Sequence, residues 1–206
     1  MRKYLPLVII PFILLIVFTL LSNASAKPYS LVYNENSVWD MRNFDFSSSN
    51  ALLGGYAAII PDTLLSPEEF AARESEAFVG DPRAISYLTS RLIVLVPEDG
   101  WYTFTRLSIP YSQRLYVNGK LMLEVGQPSA DPHTARAATA RIMFTAQAVE
   151  GVIEIVQQSS NHMHRRSGLH HNWYMGAGNA IINEVRTSDI QNAILYMRIC
   201  QAKKLF

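Results

Sequence analysis

The chain has 206 residues, enough for one domain with a substantial core and too few for two large ones. Hydrophobic residues make up 49% of it, charged residues 17%, and the formal net charge is +1, which excludes a nucleic-acid binder built on a basic patch. Cys200 is the only cysteine, so a disulfide framework is excluded as well and the fold must be held by its own core.

Arg2 and Lys3 precede an uncharged stretch over residues 4–26 that contains LPLVIIPFILLIVFTLL. A short positive region, an apolar region and the small-x-small triplet Ala24-Ser25-Ala26 make a secretory signal, with cleavage expected after Ala26. The apolar run of roughly 17–18 residues also lies near the lower limit for spanning a bilayer, so an uncleaved anchor is the alternative. Either way the chain from Lys27 onward is expected outside the cytoplasm. It is expected to be membrane-bound if residues 1–26 stay attached, and secreted or periplasmic if they do not.

Residues 66–78, SPEEFAARESEAF, read as a helix. Ser66 sits at the N-cap, Pro67 at the first helical position, and Glu69 three residues after the cap completes a capping box. The rest of the stretch up to about residue 187 has strand periodicity, punctuated by Gly, Pro, Asn and Asp. RLIVLV (91–96), a Pro-Glu-Asp-Gly turn (97–100) and WYTFTRLSI (101–109) come first. QRLYV-NG-KLMLEV then reads as a hairpin whose Asn118-Gly119 pair suits a type I′ turn, which demands positive φ at both positions. Alternation places Leu115 and Val117 on one face with Leu121 and Leu123 as cross-strand neighbours. ARIMFTA (140–146) and GVIEIVQQSSN (151–161) follow, and WYMGAGNAIINEV (173–185) reads as a last strand pair. An all-β sandwich of about eight mainly antiparallel strands, of jelly-roll type, is the expected fold. Residues 189–206 begin as an apolar helix that Arg198 and the Lys203-Lys204 pair interrupt.

Four stretches, in order, carry a family resemblance: VWDMRNFDF (38–46), NALLGGYAAIIPDTLLSPEEF (50–70), YSQRLYVNGKLMLEVGQPSADP (111–132) and EIVQQSSNHMHRRSGLHHNWYMG (154–176). The chain resembles the extracytoplasmic sensor domain of bacterial seven-transmembrane receptors with diverse intracellular signalling modules. That resemblance implies a galactose-binding-like jelly roll over residues 27–188, preceded by a signal or anchor at 1–26. Residues 189–206 would be the aborted start of a first membrane helix. It also implies a parent receptor, taken to be dimeric, whose output module would be a histidine kinase or diguanylate cyclase. A small molecule, carbohydrate by fold analogy, is the implied ligand. The alternatives are a carbohydrate-binding accessory module of a secreted glycoside hydrolase, or an adhesion or assembly domain without a small ligand.

The densest functional groups lie in NHMHRRSGLHH (161–171). Asn161, His164, Arg165 and Arg166 are the candidate ligand contacts there, since paired guanidinium forks beside a carboxamide suit carboxylates or sugar hydroxyls. His162, His164, His170 and His171 lack the spacing of a metal site, so neither metal nor cofactor is expected. Trp39, Trp101 and Trp173 are candidate stacking platforms for a sugar ring, Trp101 foremost because it alternates with Thr103 and Thr105. No nucleophile elbow, zinc-protease helix, P-loop or dinucleotide fingerprint is present, and no enzymatic activity is expected. Glu68, Glu69, Glu74 and Glu76 are expected on a solvated helix face. Asn118 and Gly119 are expected to shape the fold rather than touch a ligand.

Overall fold

Left-handed backbone at two successive residues closes three of the turns, at Asn36-Ser37 (φ 50° and 65°), Asn118-Gly119 (47° and 77°) and Glu150-Gly151 (54° and 71°). Each suits the right-handed twist of the strands it joins. Only the middle one carries the Asn-Gly signature, and it is the one the sequence predicts. The computed structural model describes residues 27–81, 85–106, 111–162, 173–178 and 180–182, together with Ile10, Ile13, Ile16 and Val17. The cleavage site at Ala24 and Ala26 and the segment 189–206 lie outside the described residues.

The chain divides into two compact units, Met1–Pro28 with Ile182–Phe206, and Tyr29–Ile181. In the first, Ile10, Ile13, Ile16 and Val17 are helical and exposed. Among the described residues no helix is long and apolar enough to cross a membrane.

The second unit is a β-sandwich. Its elements are β1 (Tyr29–Tyr33), β2 (Val38–Asp40), β3 (Asn50–Gly54), β4 (Ala58–Pro61), α1 (Pro67–Ala72), β5 (Phe78–Val79), β6 (Tyr87–Leu95), β7 (Trp101–Arg106), β8 (Ser112–Val117), β9 (Lys120–Val125), β10 (Ile142–Gln147), β11 (Val152–Ser160) and β12 (Trp173–Ala177). One sheet has the order β1-β3-β12-β7-β10. The other runs β5-β4-β6-β11-β8-β9, with β2 as its seventh strand on the edge of β6. Pairing is antiparallel except between β1 and β3 and between β2 and β6. Among the described residues there are thus twelve strands where about eight were expected. β1, β2 and β5 are too short, or too polar at their ends, to stand out by alternation.

Inward positions of the long strands build the core. Leu92 and Val94 of β6, Phe104 of β7, Ile153 and Ile155 of β11 and Met175 of β12 are all fully buried, with Trp39 of β2 among them. A second, smaller cluster seats Phe70 of α1 against Ala58 and Ile60 of β4.

Ser66 caps α1 as expected: its hydroxyl accepts from the Glu69 N–H at 3.2 Å, and the Glu69 carboxylate accepts from the Ser66 N–H at 2.8 Å. The helix is shorter than the 66–78 expectation. It stops at Ala72, Arg73 leaves helical geometry, a 3₁₀ turn spans Glu74–Glu76, and Phe78 then pairs with Ile59 as β5. Two ion pairs favour the break. Arg73 turns to Glu76 at 2.7 Å, and Glu74 is drawn to Arg91, whose guanidinium lies over the Phe70 ring.

The β8–β9 hairpin forms with its two-residue turn, and Leu115 faces Leu123 as expected. Leu121 is corrected. A bulge at Met122 sets Leu121 opposite Tyr116 and leaves it 54% exposed, because one extra residue reverses the faces beyond it. The expected last strand pair is also corrected: among the described residues no strand follows β12, and residues 180–182 are helical, with Ile181 fully buried.

Asn118 does more than permit a turn. Its Nδ2 donates to the Gln147 carbonyl at 2.8 Å and its Oδ1 accepts from the Glu154 N–H at 3.0 Å. Gln147 belongs to one sheet and Glu154 to the other, so this side chain clasps both at one end of the sandwich. Asn118→Ala is expected to cost about 2–3 kcal/mol, from two lost bonds and a left-handed backbone that alanine resists. Asn118→Gly keeps the backbone and should lose only the bonds, about 1–2 kcal/mol. Denaturant unfolding checks both, and a glycine variant as stable as the parent would remove the clasp from the account.

Candidate functional site

Polar side chains collect at the other end of the sandwich, where β8 begins and β11 and β7 end. There the alternation that fills the core with Ile153 and Ile155 continues inward with Gln157 and Ser159, both fully buried. Above them, Ser112, Ser160, Asn161 and His162 line a recess together with Pro132, Ala135 and Ala137. Its open space is about 10 Å³, room for the centre of one water-sized group.

A loop returning from β9 makes one wall. Gly126, at φ 68°, turns the chain so that Gln127 and Arg136 exchange backbone bonds of 2.8 and 3.0 Å. Within that loop the Ser129 hydroxyl meets Thr134 at 2.6 Å and accepts from the Asp131 N–H at 3.1 Å. The Asp131 carboxylate in turn accepts from the His133 N–H at 2.9 Å. The loop is tied to the strands by Ser160, whose hydroxyl accepts from the Ser129 N–H at 3.1 Å and lies 2.8 Å from the Ser112 hydroxyl. His162 Nε2 lies 2.9 Å from the Ser129 carbonyl. A carbonyl only accepts, so Nε2 carries the proton. The Asn161 N–H donates to the Ser86 carbonyl at 2.7 Å, which anchors the end of β11 against the start of β6.

Beneath the recess lies a buried arginine. Arg106, 3% exposed, stacks on the Trp173 ring at 4.3 Å and on the Tyr111 ring at 5.2 Å. Its guanidinium donates to Gln157 Oε1 at 3.2 Å and to Gln113 Oε1. Gln157 passes the network on, its amide donating to the Ser159 hydroxyl at 2.5 Å. Burial lowers the Arg106 pKa, and the opposing Tyr111 contribution is smaller. A guanidinium nevertheless remains a cation under these conditions. Burial also pushes the Tyr111 hydroxyl up, against the neighbouring Arg106 charge and Gln157. The inner face of the sheet behind the recess therefore carries a fixed, desolvated positive charge.

The expected site residues separate in space. Asn161 is at the recess. Trp173 is fully buried, edge-on to Phe144 with ring centres 5.4 Å apart, rather than open at the surface. Trp101 is 58% exposed, as its alternation with threonines predicts, although Thr103 and Thr105 on that face are buried. The Thr103 hydroxyl donates to the Gly178 carbonyl at 2.5 Å. Trp101 opens β7 while Arg106 closes it, so Trp101 lies at the Asn118 end of the sandwich, away from Asn161. His164, Arg165 and Arg166 lie outside the described residues. Among the described residues no three His, Cys, Asp or Glu side chains group as a metal site. Arg106, Gln113 and Gln157 are functional candidates that motif reading misses. The available signal was polar residues at inward positions of otherwise apolar strands.

No family model and no curated protein matches the chain. Among solved structures, 47% of the chain is similar to part of the β-glucosidase from Kluyveromyces marxianus in complex with glucose, at 17% identity and a TM-score of 0.30. The selenomethionine-labelled form of that enzyme matches 63% of the chain at 15% identity and a TM-score of 0.34. The chain spans only 12% and 16% of the length of those two structures. The described residues define a mostly β protein, a two-sheet sandwich with short helices.

Proposed function

We propose that the Tyr29–Ile181 unit is the ligand-sensing domain of an extracytoplasmic receptor, a galactose-binding-like jelly roll of the seven-transmembrane sensor type. It takes a small neutral ligand, a carbohydrate or related polyol, and performs no catalysis. The observation that supports this reading is the recess lining: the polar residues Ser112, Ser160, Asn161 and His162 beside the small apolar Pro132, Ala135 and Ala137. Hydroxyls and an amide can both donate and accept, as a sugar hydroxyl requires, and no carboxylate lines the recess to favour a cation. With space for one water-sized group, the recess would admit a single hydroxyl while the ring rests over its mouth.

Thermal unfolding against a panel of neutral monosaccharides and disaccharides tests the reading. A ligand at 100 times its Kd should add about 2.7 kcal/mol to stability. Asn161→Ala should abolish that gain while changing the melting temperature of the free protein little. A panel in which nothing stabilises the protein, or in which Asn161→Ala responds like the parent, would favour an adhesion or assembly role instead.

A further inference from the structure

We infer that Arg106 is the positioning residue that couples the recess to β12, so that a change at Ser112 or Ser160 is felt at Trp173 in the opposite sheet. This inference rests on the sensing role proposed for the recess but predicts behaviour of the ligand-free protein. Ser112 and Ser160 line the recess, and each is followed or preceded in its strand by a residue of the buried network, Gln113 and Ser159. Arg106 holds both strands at once, donating to Gln113 on β8 and to Gln157 on β11, while Gln157 grips Ser159. On its other side the same guanidinium lies 4.3 Å from the ring of Trp173, the first residue of β12.

Much of the contact between the two sheets is apolar, and its attraction has no preferred direction. Here the contact is directional. A planar cation with forked donors fixes two amides in its plane, and the indole packs on its face. In a desolvated setting these bonds strengthen one another, and leaving any member unpaired is costly, so the cluster shifts as one body. β12 lies between β3 and β7, in the middle of its sheet, so movement of Trp173 would be passed to both neighbours.

Indole-nitrogen NMR on the ligand-free protein tests this. Ser160→Ala removes one hydroxyl from the recess and should displace the Trp173 indole resonance, while the Trp101 resonance at the far end of the sandwich stays in place as the control. In Arg106→Lys, which keeps the charge but loses the planar fork, Ser160→Ala should no longer move Trp173. Should Arg106→Lys fail to fold, Gln157→Leu severs the β11 arm alone. Ser160→Ala then loses its effect on Trp173, and Ser112→Ala, acting through Gln113, retains its own. A Trp173 resonance indifferent to Ser160→Ala in the parent overturns the inference, as does one that moves equally in the Arg106→Lys or Gln157→Leu background. Neither outcome depends on whether any sugar binds.

Discussion

Trp39→Ala should destabilise the domain by about 3–5 kcal/mol, the usual cost of truncating a buried indole to alanine. Stabilities of single domains are commonly 5–15 kcal/mol, so much of the margin would go. Trp39 is fully buried and is the central residue of β2, which has only three residues and one partner strand, β6. Its indole N–H donates to the Gly54 carbonyl at 2.8 Å, a shorter bond than the 3.3 Å one from the Asn34 N–H to the same oxygen. The truncation therefore opens a cavity beside Leu53 and Val94 and removes a link from β2 to the opposite sheet. Trp39→Phe keeps most of the apolar bulk and loses the bond, for roughly 1 kcal/mol plus any packing mismatch. Chemical denaturation separates the two, and a Trp39→Ala midpoint close to the parent's would mean that β2 docks without contributing to the core.

Gly126→Ala should act on the recess itself. At φ 68° a side chain is already disfavoured, and a Cβ there would lie 2.1 Å from the Arg136 carbonyl and 3.0 Å from Ser112 Cβ. Backbone cannot yield as a side-chain tip can, so the exchange of bonds between Gln127 and Arg136 must break or the loop must move off the strands. Strain of this kind costs on the order of 1–3 kcal/mol, and the lost backbone bonds add to it. Gly119 provides the contrast, since its φ of 77° is equally left-handed yet a Cβ there meets nothing within 4 Å. Gly119→Ala should thus cost only the conformational term, about 1–2 kcal/mol. Hydrogen exchange over residues 127–138 should rise sharply in Gly126→Ala and stay unchanged in Gly119→Ala. Equal melting temperatures and equal exchange in the two variants would show that the loop is not wedged against the strands.

Local chemistry made the short-range features legible. A capping box, an Asn-Gly turn and a proline at the first helical position act within four residues, and each forms where the sequence places it. What escaped is set at long range. Nothing between Lys120 and Val125 announces the bulge at Met122, because it arises from matching β9 to β8. The helical turn at residues 180–182 replaces an expected strand since Ile181 has a place on the sheet beside Gly176, where a Cβ would meet it at 2.9 Å. At the recess, Asn161 lies beside Ser160 at the end of β11, whereas Trp173 could not be assigned a side from the sequence. Its inward orientation depends on pairing with Leu53 and on the Arg106 face that covers it.

The position of β12 also bears on how the chain acquires its fold. Trp173 pairs with Leu53 on one side, and Tyr174 pairs with Thr105 on the other. Until residues 173–177 are available, β1 with β3 and β7 with β10 are two separate ribbons without a shared ladder. Closure of that sheet is therefore a late event joined by contacts very distant in sequence, the kind that sets slow folding in β-sandwiches. The half-built state would expose the edges of β3 and β7 together with the apolar faces they carry, so completion of this sheet waits on β12 whatever the order in which the other strands pair.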